Sequence, residues 1–281
     1  MFKKLTEILS DISKIFSKKY LTSGRKFTFL YSYFNILINR FLDGRFLQIK
    51  KQKFLNFVIS FDDFSDFYWT FREIFLEDDY YFDSNKENPY IIDCGGNIGM
   101  SVFYFKYLHP SAKIQVFEAL PENVEILEKN VKNNNLSNVE VIAKAVGYEE
   151  GELEIYGDRR AATICKDMTN THDKSDMSKS TKVEVAKLSK YIKKDVDFLK
   201  MDIEGAEESV IRELSNASVL KRIKRLTMEY HSISGNTNPL SSLVANLENA
   251  DFKISFVNNV SRVIDMRVRS FSHIMLVAFR K

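Results

Sequence analysis

An α/β fold, a parallel sheet flanked by helices, is the class this sequence predicts, and two observations carry it. From Tyr90 onward, short apolar runs alternate with amphipathic segments, the pattern of repeated strand and helix units. The stretch Tyr90 to Ser101, YIIDCGGNIGMS, reads as a strand ending in Asp93, a turn over Gly95, Gly96, Asn97 and Gly99, and then a helix over Met100 to Leu108. Glycine suits such a turn because it takes positive φ cheaply and lets a ligand lie against bare backbone. The free N–H groups at the helix start would then face the ligand.

The elements follow in order. Phe2, Leu5, Ile8, Leu9, Ile12, Ile15 and Phe16 recur at helical spacing among Lys3, Lys4, Lys14, Lys18 and Lys19, which predicts a basic amphipathic helix. Charges interrupt every apolar run, so it does not read as a secretory signal. It would dock on its own domain, on a partner subunit such as a second copy, or on a membrane surface. Phe27 to Leu42 is apolar and aromatic but shorter than the ~20 residues of a spanning helix, and it carries Arg40. The chain is therefore expected to be cytoplasmic and soluble, with peripheral contact at the inner membrane face as the variant. Phe54, Phe57, Phe61, Phe64, Phe67, Trp69, Phe71 and Phe75 suit a helical or mixed cap. Polar Ser84 to Pro89 marks a boundary, giving an aromatic-rich extension over 1–84 and a main domain over 85–281.

In that domain Ile114 to Phe117 is the second strand, ending in Glu118, and Pro121 opens a helix to Asn135. Val139 to Ile142 is the third strand, with Ala143, Lys144 and Ala145 after it, small enough overall to border a nucleoside base. Glu152 to Tyr156 and Val183 to Val185 read as paired strands around a polar loop, Gly157 to Thr181. That loop holds Arg159, Arg160, Thr163 and His172 and is long enough for a lid or for disorder. Val196 to Met201 is the fourth strand, delivering Asp202, Glu204 and Glu207 at its carboxyl end, where open α/β sheets place ligands. The fifth, Arg225 to Met228, leads into Glu229, Tyr230 and His231. A helix over Leu240 to Glu248 and strands over Lys253 to Phe256 and Ser272 to Phe279 close the chain. Too few residues separate those two strands for a helical crossover, so they should pair antiparallel.

Composition excludes some functions. With 281 residues, 44% hydrophobic and 28% charged, the chain is ordinary globular, and a net charge of +3 gives no case for a nucleic-acid partner. Two cysteines, Cys94 and Cys165, make no disulfide framework.

The details of the turn select the ligand. A dinucleotide-binding turn reads G-x-G-x-x-G and holds a pyrophosphate at the helix start. Here it reads D-x-G-x-N-x-G, with a carboxylate that would repel a pyrophosphate. An acid there suits a ligand carrying an ammonium and a sulfonium, as S-adenosylmethionine does. Glu118, about twenty residues on, is placed to accept from ribose hydroxyls. Asp93, Gly95, Gly96, Asn97, Gly99, Glu118, Ala143 to Ala145 and Asp202 are thus the candidate cofactor contacts. Asp202, Glu204 and His231 are the candidate catalytic residues, with His231 as general base for a hydroxyl acceptor. Helix capping is the competing role for the three acids after the fourth strand. No metal is expected, because no histidine or further acid lies nearby in sequence to complete a set with Asp202 and Glu204.

IIDCGGNIGMS, FEALPEN at Phe117 to Asn123, AKAVG at Ala143 to Gly147, LKMDIEGAE at Leu199 to Glu207 and MEYH at Met228 to His231 together resemble the FkbM-type family of S-adenosylmethionine-dependent methyltransferases. The resemblance runs from about Asp79 to Lys281. The family usually has Pro directly after the ribose-binding Glu, whereas Ala119 and Leu120 intervene here. The resemblance implies a Rossmann-like seven-stranded methyltransferase sheet and O-methylation of a sugar, a glycan or a related small metabolite. The rival readings are an NAD-dependent oxidoreductase, a nucleic-acid methyltransferase and a non-catalytic scaffold. Asp202-Ile203-Glu204-Gly205 stands where N6-adenine enzymes carry a D/N-P-P-Y/F loop.

Overall fold

The computed structural model describes residues 2–157, 180–231, 240–257 and 273–280. The 157–181 loop with Cys165 and His172, and the segment before the last strand, fall almost wholly outside them.

Seven strands form the central sheet: β3 (Tyr90–Cys94), β4 (Lys113–Phe117), β5 (Val139–Ile142), β9 (Phe198–Met201), β10 (Arg225–His231), β11 (Lys253–Val257) and β12 (His273–Phe279). Their order is β11-β12-β10-β9-β3-β4-β5. β5, β4, β3, β9 and β10 run parallel, and β12 lies antiparallel between β10 and β11, as the short connection requires. A separate three-stranded sheet joins β6 (Ala145–Val146), β7 (Gly151–Tyr156) and β8 (Ser180–Ala186).

Alternation along the strands divides the core into two. Ile91, Val116 and Phe198 face α4 (Met100–Leu108) and α5 (Pro121–Asn133). Ile92, Phe117 and Leu199 face α6 (Glu207–Asn216) and α7 (Leu240–Asn249).

The extension before Asn85 is mixed: α1 (Phe2–Ser17), α2 (Ser23–Leu42), a hairpin of β1 (Lys51–Phe54) and β2 (Phe57–Ser60), α3 (Phe64–Phe71) and a π-helical turn over Arg72–Leu76. Its buried aromatics share one continuous cluster with α4 and the sheet. Phe82 stacks on Phe198 at 4.3 Å, and Phe54, Phe71 and Phe75 pack edge-on or stacked on one another. Polar clamps fasten the hairpin. The buried Asn130 side chain accepts from Ser60 N at 2.8 Å and donates to Ser60 O and Ile98 O, and Asn134 holds Val58 in the same way.

The N-terminal helix packs differently from its apolar pattern. Ile15 is buried and Ile8 and Ile12 half-buried, but Leu5, Leu9 and Phe16 are exposed. What seats α1 is charge. Asp11, wholly buried, accepts from Arg72 and from Tyr33, and buried Lys18 pairs with Asp78 at 2.6 Å. On α2, Phe27, Tyr31, Phe34, Ile38 and Phe41 form an exposed stripe at three- and four-residue spacing. Among the described residues no helix is long and apolar enough to cross a membrane.

Asp197 pins the feet of β3 and β9. Its carboxylate accepts from Tyr90 N at 2.9 Å, Lys86 Nζ and Lys224 Nζ. Burial alone would raise its pKa, but these donors bring it below the usual value. A depressed folded pKa gives stability that is present at neutral pH and lost as pH falls through the carboxylate range near 4 and below. Asp197→Asn should therefore show its full deficit in urea midpoint at pH 7 and a smaller one at pH 3. Equal deficits at both would mean that the charge of Asp197 contributes nothing.

Candidate functional site

The strand order reverses at β3, and there, beyond the carboxyl ends of β3, β4 and β9, a cavity opens. Its walls include Gly95 and Asn97 after β3, Phe117 to Leu120 with Asn123 after β4, and Asp202 to Glu204 with Ala206 after β9. Lys144, Ala145 and Val146 close one side, and Leu153 and Ile155 of β7 extend it. The empty space, open mouth included, is about 790 Å³, in the range of small-molecule sites.

The glycines serve the fold's own packing. A Cβ on Gly95, at φ +87°, would fall 1.8 Å from Asp202 O, one on Gly96 would meet the Val116 side chain at 2.3 Å, and one on Gly99 would meet Leu127. Nor are the turn's N–H groups free. Gly95 N and Gly96 N donate to Phe117 O, Asn97 N to Glu118 Oε2 at 2.7 Å, and Gly99 N to Gly96 O. Gly96 and Gly99 lie outside the cavity wall. Gly95 and Asn97 do line it, with their N–H groups bonded to Phe117 O and Glu118.

Asp93 also departs from its expected role. It is wholly buried, does not line the cavity, and sits opposite Lys200 in the β3–β9 register. Lys200 Nζ lies 3.2 Å from Asp93 Oδ1 and 3.9 Å from Asp202 Oδ2, and it donates to Cys94 O and Gly95 O. Ser101 Oγ donates to Asp93 Oδ2. Burial raises the Asp93 pKa, with Lys200 and Ser101 opposing it; burial alone would lower that of Lys200, but Asp93 and Asp202 hold it above its ordinary value. The acid closing β3 is thus neutralised by a lysine of its own chain and stabilises the turn from below. Lys200 was legible as a charged residue inside the apolar run FLKM, which demands a buried partner.

Glu118 stands on the cavity wall. Its two oxygens accept from Asn97 N and from Leu120 N at 2.9 Å, and burial raises its pKa against those donors. Leu120 N donating back to the carboxylate sets the loop in the absence of the family's usual proline. Ala143 is not on the wall: Lys144 N bonds Ile142 O at 2.8 Å, and that tight turn carries the chain into β6. Lys144 Nζ pairs with Glu184. Leu153 and Ile155 add apolar lining from the face of β7 opposite its glutamates.

After β9 the chain turns sharply, with Glu204 at φ +52° and Gly205 at φ +109°. Wholly buried Glu207 opens α6 and ties this turn down. Its Oε1 accepts from Ile203 N and Gly205 N and lies 3.0 Å from His231 Nδ1. His231 Nε2 faces Glu204 Oε2 at 3.5 Å and Glu229 Oε1 at 3.9 Å, and Tyr80 Oη donates to Asp202 Oδ2 at 3.3 Å. Burial alone would lower the His231 pKa, but the hydrogen bond to Glu207 and the charges of Glu204, Glu207 and Asp202 raise it well above its usual value. Carboxylates facing both ring nitrogens favour the protonated ring. The expected general base is thus held between acids. Glu229 is pushed up by burial and by Asp202.

A doubly wound sheet in this order, with a carboxylate-lined cavity at the reversal point, defines the Rossmann-like methyltransferase class. Residues 93–254 match the Methyltransferase FkbM domain, more than half of the chain, and the chain belongs to that family. It is 28% identical over 165 residues to "Methyltransferase 1" of Beauveria bassiana (strain ARSEF 2860), covering 52% of this chain and 66% of that protein. It is 34% identical over 86 residues to "Methyltransferase sdnD" of Sordaria araneosa, covering 30% and 33%. The chain thus spans less than two thirds of the length of either relative. The crystal structure of Methyltransferase FkbM from Methylobacillus flagellatus KT aligns at a TM-score of 0.48 and 15% identity, over 74% of this chain and 48% of that one.

Proposed function

We propose that the chain is an S-adenosylmethionine-dependent methyltransferase whose acceptor is a hydroxyl of a sugar, a glycan or a related small metabolite. The observation that carries the cofactor is the donor set of the cavity. Glu118, Asp202 and Glu204 line a space whose apolar strip is Phe117, Leu120, Val146, Leu153 and Ile155. Acids suit ribose hydroxyls and an ammonium; the apolar strip suits a purine. A pyrophosphate would meet these carboxylates, and Lys144, the cation among the described lining residues, is already paired with Glu184, which disfavours NAD.

Glu118 would hold the ribose, Gly95 and Asn97 the amino-acid portion, and Ala145, Leu153 and Ile155 the base. When bound, the cofactor supplies an electrophilic methyl on a sulfonium. The chain's part is to align the acceptor oxygen with it and to see the hydroxyl proton away. The acceptor class rests on the family alone.

Titration with S-adenosylhomocysteine should show binding, and NAD none; the reverse would end this reading. Glu118→Ala should weaken S-adenosylhomocysteine by roughly 1–3 kcal/mol by leaving ribose hydroxyls unpaired. Unchanged affinity in a folded variant would place the ribose elsewhere. Methyl transfer from labelled cofactor to a cell-surface glycan extract tests the acceptor.

A further inference from the structure

We propose that Asp202, Glu204 and His231 form a site for one divalent cation of the Mn²⁺ class at the edge of the cavity, where the cation would bind the acceptor hydroxyl and favour its ionisation, the proton leaving to solvent. The cation site stands on its own geometry. Its role toward a hydroxyl rests on the methyltransferase reading.

One carboxylate oxygen from each acid and one ring nitrogen of His231 all lie within 4.8 Å of one another, and all three residues are half-buried. Donors bound to one cation at about 2.1–2.4 Å lie up to about 4.8 Å apart, so the three reach a shared ion with little movement. Asp202 and Glu204 line the cavity, which keeps a cation here open to water and to an acceptor.

The surroundings of the trio are those of a metal-ligating histidine. Such a ring presents one nitrogen to the ion and gives the other to a carboxylate, which fixes its orientation. His231 does this: Nδ1 is held by Glu207 at 3.0 Å, and Nε2 is turned toward Glu204. Glu207 is itself fixed by two backbone N–H groups, so its grip on the ring is rigid, and its buried Oε2 has no hydrogen-bond partner. Charge points the same way. Asp202, Glu204, Glu207 and Glu229 gather about this ring, and Lys200, 3.9 Å from Asp202, already serves Asp93. A bound cation balances that excess of carboxylate. Two carboxylates with one imidazole favour Mn²⁺ over Mg²⁺ or Ca²⁺, which take oxygen donors.

The test uses the full chain, freed of metal by chelator and dialysis, titrated with Mn²⁺ and read by electron paramagnetic resonance. Wild type should bind one Mn²⁺ per chain and show a thermal midpoint that rises with Mn²⁺ concentration. Glu204→Gln and His231→Gln should each weaken binding by about tenfold or more. Glu207→Gln, which touches no metal, should also weaken it, by about 10- to 100-fold. No bound Mn²⁺ and no midpoint shift in wild type would overturn the proposal, whatever the variants do. So would variants that fold and bind as wild type does. S-adenosylhomocysteine titration of the same samples separates the two readings. Failure of Mn²⁺ to bind while that ligand still binds would sink the cation site alone, and stoichiometric Mn²⁺ binding with no binding of that ligand would sink the methyltransferase reading alone.

Discussion

Lys200→Met is expected to destabilise the protein by about 3–5 kcal/mol and to abolish binding at the cavity, the largest effect of any single change considered. The ammonium is buried between β3 and β9, with Asp93 opposite it and the carbonyls of Cys94 and Gly95 as its acceptors. Methionine would fill the space but leave a carboxylate of zero exposure with Ser101 as its remaining donor. That carboxylate would have to take up a proton or draw in water, and either outcome loosens the turn that forms the cavity floor. Urea unfolding measures the loss. A deficit below about 1 kcal/mol would show that the backbone bonds to Phe117 hold the turn unaided. The pair can be separated from its parts: Lys200→Met combined with Asp93→Asn should be less damaging than Lys200→Met alone, because no unpaired charge remains.

Phe198→Ala is expected to cost about 3–5 kcal/mol as well, through a different mechanism. Phe198 begins β9, is 1% exposed, and is stacked on Phe82 and packed edge-on by Phe105 at 5.6 Å. It is where the aromatic layer before Asn85 touches the sheet, so its removal opens a cavity between the two. The thermal midpoint should fall by several degrees, and limited proteolysis should cut first in the layer before Asn85. Retention of the wild-type midpoint would mean that the layer repacks onto Phe105 and His109 without loss.

Most of the sheet was readable because its strands are short apolar runs bounded by turn residues, and β3, β4, β5, β9 and β10 stand within a few residues of where those runs place them. The antiparallel last pair followed from the length of its connection. What was not readable was lateral. No local pattern says that Asp93 and Lys200 would be register partners, so an acid at a strand end was assigned to a ligand when its counterion lay on the neighbouring strand. Spacing along the chain likewise left Asp202 and Glu204 without a nearby third donor. His231 lies a full strand–helix–strand unit beyond Asp202, and parallel pairing of β9 with β10 brings the two strand ends together. The N-terminal helix misled for a related reason. Its apolar stripe suggested the docking side, but Asp11 and Lys18 are buried because Arg72, Tyr33 and Asp78 wait for them on later elements.

The shared aromatic cluster has a consequence for how this protein is made. Phe54, Phe71, Phe75 and Phe82 leave the ribosome well before Phe105 and Phe198, the rings that complete their enclosure. A nascent chain carrying these rings uncovered is the kind of species that chaperones retain, and synthesis at about 5–20 residues per second leaves it so for several seconds or more. Slow translation between the extension and β9 would prolong that exposure, so the yield of folded protein should depend on how quickly the ribosome reaches Phe198.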